Sequence, residues 1–140
     1  MKQLAIMAAI AALAVSGLAA AQQATRTGPT APELAHGRDV FARWCAPCHA
    51  VGPRLAGTMS LQAKYQGRVP AALEDRTDLT GPVISLFVRN GVAWMPPFRP
   101  TEITNADLAA LNAYLTAPLN QRGSHAPLLA QEMAQRRQGQ

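Results

Sequence analysis

Residues 43–53 read RWCAPCHAVGP, and within them two sulfurs and an imidazole stand close enough to serve one chemistry. Cys45 and Cys48, three apart with a proline between them, describe a dithiol that cycles between thiol and disulfide. The same two sulfurs followed at once by His49 describe a C-x-x-C-H site, at which a haem is joined to its protein. In the first reading the sulfurs change oxidation state. In the second both are consumed in thioether bonds and His49 is offered to iron. A structural zinc ion is a third reading, but it needs four ligands at characteristic separations, and the chain holds two cysteines with no second pair.

The elements around the motif discriminate between these chemistries. A thioredoxin-like dithiol follows a buried strand and so needs a β-branched apolar run before it. The preceding stretch, ELAHGRDVFAR, has none. Instead Leu34, Gly37, Phe41, Trp44 and Cys48 recur at steps of three or four, with Arg38, Asp39 and Arg43 off that stripe. This is the period of one helical face, with Cys45 at the helix end. Residues 51–80 carry glycine, proline or polar residues every few positions (GPRLAGT, YQGRVPAAL, DRTDLTG) and read mostly as loop, with short helical turns at 61–65 and 70–73.

Thr80-Gly81-Pro82 opens a second helix, proline being tolerated in a first turn. Val83, Ile84, Phe87 and Val88 form its apolar stripe, and Asn90-Gly91 ends it as residues that accept the left-handed conformation. In Trp94-Met95-Pro96-Pro97-Phe98 the prolines forbid a helix. A third helix begins with Thr104 as cap and Asp107 as its acidic partner, carries Leu108, Leu111, Tyr114 and Leu115, and stops at Pro118. No strand pattern and no internal repeat appear. The expected fold class is all-α, with three main helices and long loops. Loops of this extent need a further reason to be ordered, and a large flat apolar group at the centre supplies one.

The chain of 140 residues divides into four parts. Lys2 followed by an alanine-rich apolar run ending in Ala19-Ala20-Ala21 reads as a secretory signal over residues 1–21, cleaved after Ala21, so that the mature protein is expected in the periplasm with no membrane insertion. Residues 22–32 read as a flexible linker, 33–118 as one domain, and 119–140 as a C-terminal tail. Cleavage leaves twelve basic and eight acidic residues, a formal +4. The cations are scattered rather than clustered, which excludes a nucleic-acid face.

Five features together resemble the class I c-type cytochromes over residues 33–118. They are Gly37 and Phe41 in the first helix, CAPCH at 45–49, GPRLAG at 52–57, WMPPF at 94–98, and a terminal helix with Tyr114-Leu115. The resemblance implies a small cytochrome c fold wrapped around one haem c, attached covalently to Cys45 and Cys48 with His49 beneath the iron. It also implies that the other ring nitrogen of His49 donates to the Pro53 carbonyl, an outer bond that orients the imidazole. The sixth ligand must come from a distant loop, and Met95, 46 residues beyond His49 and stiffened by two prolines, suits it. Met59 is too near the attachment site, Met133 lies in the tail and Met7 in the signal, while His36 and His125 read as solvated. Tyr65, Arg68 and Trp94 are candidates to bond a propionate or wall the pocket, Arg68 reading equally as an exposed loop charge.

A histidine and a methionine fill both axial positions, leaving one-electron exchange rather than catalysis at the metal. KYQGRVPAAL, EDRTDL and FVRNGVAWMPPFRPTEI further resemble the cytochrome subunits of flavoprotein hydroxylases of para-alkylphenols, the p-cresol methylhydroxylase and eugenol hydroxylase group. That likeness implies an FAD-containing dehydrogenase or hydroxylase subunit as donor and a downstream electron acceptor. Two further readings stay open. One is a free carrier for a quinoprotein dehydrogenase or a terminal oxidase; the other is a haem enzyme or sensor in which Met95 dissociates.

Overall fold

The first amphipathic segment forms α1, Ala31–Trp44, in the computed structural model, which describes residues 31–126. Gly37, Val40 and Phe41 are its buried residues. They face α5, Asn105–Thr116, whose Leu108, Ala110, Leu111, Tyr114 and Leu115 are buried in turn. The two helices touch backbone to backbone at Gly37. A Cβ built there would lie 2.7 Å from both the Ala110 carbonyl carbon and Tyr114 Cβ, and nearer still to the Ala110 oxygen. One turn on, the Phe41 and Tyr114 rings pack with centroids 6.2 Å apart. Phe41, Ile103, Leu111, Tyr114 and Leu115 are almost wholly withdrawn from solvent, and burial of each such side chain stabilises the fold by about 2 kcal/mol.

Between these helices the chain forms α2 (Ala46–His49), α3 (Ala56–Tyr65), a single 3₁₀ turn (Leu73–Asp75) and α4 (Gly81–Asn90), and after them a short α6 (Leu119–Arg122). Among the described residues no strand occurs, only an isolated bridge between Val92 and Met95. The all-α expectation holds, and no described helix is long and apolar enough to cross a membrane. At α5 the expected cap is present in full: Thr104 Oγ1 accepts from the Asp107 N–H at 3.1 Å while Asp107 Oδ2 accepts from the Thr104 N–H at 3.0 Å.

The structure departs from the sequence reading in several places, the turn expected at 70–73 lying at Leu73–Asp75. Ala31 and Pro32 belong to α1 rather than to the linker. The expected short turn at 61–65 is the end of a ten-residue helix, α3, which buries none of its residues fully and so has no apolar stripe to betray it. In α4 only Ile84 and Val88 of the expected stripe are buried, while Val83, Leu86 and Phe87 are exposed. The signal (1–21), residues 22–30 of the linker and residues 127–140 of the tail lie outside the described residues.

Residues 119–126 are no loose tail. Arg122 is buried and donates from Nε to the Ala117 carbonyl (2.7 Å) and from Nη1 to the Glu74 carbonyl (2.9 Å). Glu74, also buried, accepts on Oε1 from the Ala126 N–H (2.8 Å) and the Tyr114 hydroxyl (2.5 Å). Arg38 of α1 donates to the Ser124 and His125 carbonyls at 3.1 and 2.9 Å, and the His125 ring pairs with Asp75 at 2.6 Å. Tyr114→Phe removes the hydroxyl from a carboxylate whose second oxygen already lacks a partner among the described residues. Loss of a buried bond to such a group costs about 1–3 kcal/mol, to be read as a lowered denaturant midpoint.

Candidate haem site

The chemistry-bearing motif sits on one helical turn. Cys45 caps α2, and the N–H groups of Cys48 and His49 both donate to its carbonyl, at 3.0 and 2.8 Å. Residues three and four apart on such a turn lie on adjoining positions of one face. The first sulfur is inside and the second outside: Cys45 is 8% exposed and part of the core, and Cys48 is exposed. Burial pushes the Cys45 thiol up to about 12, with smaller pushes from Cys48 and Glu74. A redox dithiol needs an accessible first sulfur with a depressed pKa, so this arrangement opposes disulfide exchange. Nor do the sulfurs and His49 form a zinc cage, for among the described residues no group of three or more His, Cys, Asp or Glu is placed to hold a metal ion.

His49 is held from the side of α3. Its ring rests on Gly57, where a Cβ would lie 2.6 Å from Nδ1 and 2.7 Å from Nε2. Thr58 Oγ1 donates to the Ala50 carbonyl at 2.8 Å, tying the start of α3 to the end of α2. Burial lowers the His49 pKa, which favours the neutral ring that binds metal. Its Nδ1 is buried without a hydrogen-bond partner among the described residues. The bond expected from His49 to the Pro53 carbonyl is therefore not formed. Pro53 stands exposed in a turn in which Arg54 takes φ 63, and the ring's flank is met by Gly57 instead.

Met95 lies on a loop fastened at both ends. Gly91, at φ 67, lets the loop fold back, since a Cβ there would meet the Pro97 nitrogen at 2.8 Å. Val92 and Met95 exchange backbone bonds of 3.0 and 2.9 Å around a tight turn. Beyond the prolines, the Phe98 N–H donates to the Val88 carbonyl at 2.8 Å, and the Phe98 ring meets Trp44, the residue before Cys45, edge-on at 5.8 Å. Arg89, at the end of α4, donates to the Phe98 and Ile103 carbonyls at 3.0 and 2.9 Å and to Asn105 Oδ1 at 3.0 Å. Met95 is partly buried against the core cluster that includes Cys45 and Ala46. Trp94 does not wall the interior: it stands at the tip of the turn, 97% exposed, because the Val92–Met95 pairing turns it outward.

Tyr65 and Arg68 are not brought together through their side chains. Arg68 is exposed in the turn after α3, and its backbone N–H donates to the Tyr65 carbonyl at 3.0 Å. The cation over the Tyr65 ring is Arg76, at 4.8 Å, with Lys64 on the ring at 5.4 Å. Arg76 is buried and grips Asp78 with two bonds of 2.8 and 2.6 Å, which hold that carboxyl below the usual range. Sequence reasoning missed both Arg76 and Arg89. The only signal for Arg76 was an arginine two residues before an aspartate.

The donor set fits a covalently attached haem. Two sulfurs and a half-buried imidazole share one turn, an anchored methionine packs on the core that includes Cys45, and Met59, Val83, Leu86, Phe87 and Val92 leave apolar surface exposed. A small all-α domain so equipped is of the cytochrome c class, an electron-transfer domain with one covalently bound haem c. The chain belongs to the family described as cytochrome c oxidase, cbb3-type, subunit III, whose model matches residues 32–115. No curated protein and no solved structure matches the chain.

Proposed function

We propose that this chain is a periplasmic monohaem carrier of single electrons, exported by the signal at residues 1–21, with Cys45 and Cys48 as the haem attachment points and His49 and Met95 as the iron ligands. The observation that carries it is the shared core: Cys45 is buried within it, His49 follows on the same helical turn, and the doubly fastened Met95 loop packs against it. When bound, the haem supplies exchange of one electron between ferric and ferrous iron. The protein does the rest. Burial lowers the His49 pKa and so favours the neutral ring that would hold iron, and the soft Met95 thioether would favour the ferrous state and raise the potential.

For the partner, likeness of residues 64–79 and 87–103 to cytochrome subunits of flavoprotein phenol hydroxylases favours an FAD-containing subunit as donor. The family's description supports a second reading, delivery to a terminal oxidase. In either case a small, weakly held interface is expected. The intact mass of the exported protein tests the core of the proposal. It should equal residues 22–140 plus one haem, and a mass showing only a disulfide would end it. Co-purification with a flavoprotein, set against reduction of an oxidase by the isolated carrier, separates the two partners.

A further inference from the structure

We infer that Gly57, tethered by Thr58, is the positioning residue that fixes the plane of the His49 imidazole. The inference rests on the proposal that His49 is an iron ligand. Its carrier is the close approach of α3 to the ring. A Cβ at Gly57 would lie 2.6 Å from Nδ1, 2.7 Å from Nε2 and slightly nearer to Cε1. An approach to the ring's edge at Cε1 would leave both nitrogens much farther away than that carbon. Near-equal distances place the glycine over the face of the ring. The backbone of α3 is thus a wall along one side of the imidazole, and rotation about the Cβ–Cγ bond drives the ring into it.

Helix propensity alone would put alanine at this position in α3. Glycine is what the packing needs. The wall cannot recede freely, because Thr58 Oγ1 donates to the Ala50 carbonyl at 2.8 Å and lies 3.4 Å from that of Cys48, the residues on either side of His49. Steric contact along the face of the ring therefore restricts the imidazole plane from the side of α3. A ring plane set in this way decides which iron d orbital the imidazole raises, and hence the pattern of haem-methyl shifts in the ferric protein.

The test uses haem-loaded full-length protein and reads ferric haem-methyl proton shifts together with the reduction potential. Gly57→Ala should rearrange the methyl pattern and move the potential. Gly81→Ala, where a Cβ meets nothing nearer than Asn112 at 3.7 Å, should leave both unchanged. Thr58→Val should shift the pattern in the same sense as Gly57→Ala, and Thr58→Ser should restore it. A haem-loaded Gly57→Ala protein with the wild-type pattern overturns the inference. If that variant does not load haem, the Thr58 pair decides: a wild-type pattern in Thr58→Val overturns it, and a changed pattern rescued by serine supports it. A wild-type iron centre without histidine ligation overturns both this inference and the proposal beneath it, and the unsubstituted protein alone shows which has failed.

Discussion

Replacing Met95 by alanine is expected to lower the reduction potential by on the order of 0.1 V, within the roughly 0.8 V that axial ligands span, and to let the ferrous protein bind carbon monoxide. As the proposed sixth ligand the thioether would stabilise ferrous iron, and its removal would leave a weaker ligand or none. The fold should survive the change. Met95 joins the loop through its backbone exchange with Val92, the neighbouring Phe98 and Arg89 hold the far end, and the side chain is only partly buried. The loss therefore falls on the iron rather than on the domain. Potentiometric titration and a carbon monoxide difference spectrum check it, and a variant unchanged in both would show that Met95 is not the sixth ligand.

The largest effect on stability is expected at Gly37. Alanine there would push its methyl into the Ala110 carbonyl, with the carbonyl carbon and Tyr114 Cβ both at 2.7 Å. Backbone cannot yield as a side-chain tip does, so α1 and α5 must separate along the contact that buries Phe41, Leu111 and Tyr114. Overpacking of this kind costs about 3 kcal/mol, offset by somewhat under 1 kcal/mol from the better helix propensity of alanine. The net loss should lower the thermal midpoint of the haem-loaded protein by roughly 10–15 °C for a domain of this size, followed by circular dichroism. A midpoint within a degree or two of the parent would mean that the helices do not meet backbone to backbone.

What the sequence revealed follows the range of the interactions concerned. Thr104 with Asp107, Thr80-Gly81-Pro82 with Asn90-Gly91, and Cys45-x-x-Cys48-His49 are local signals whose partners lie within a few residues or follow from turn chemistry, and each element stands where it was expected. Of the helix α3 only the end at 61–65 was legible, because its start is held by a missing side chain, Gly57, and a hydroxyl, Thr58, rather than by an apolar stripe. Nothing in EDRTDL sets Glu74 apart from Asp75 or Asp78, yet it is buried and accepts from Tyr114 and Ala126, 40 and 52 residues away. Arg122 and Arg89 were invisible for a similar reason. Their side chains satisfy carbonyls elsewhere in the chain, and nothing in the local pattern distinguishes such an arginine from an exposed one. Exposure was also hard to foresee: in Trp94, side-chain type pointed inward while the turn geometry sent it out.

The three bonds of Arg89 to Phe98, Ile103 and Asn105 make the methionine loop and α4 travel as one piece. With Met95 as the proposed ligand, a redox centre whose ligand arm is so constrained would have little nuclear rearrangement to complete when its charge changes. The pace of self-exchange should then follow separation and driving force, with relaxation of the surrounding chain contributing little to the barrier.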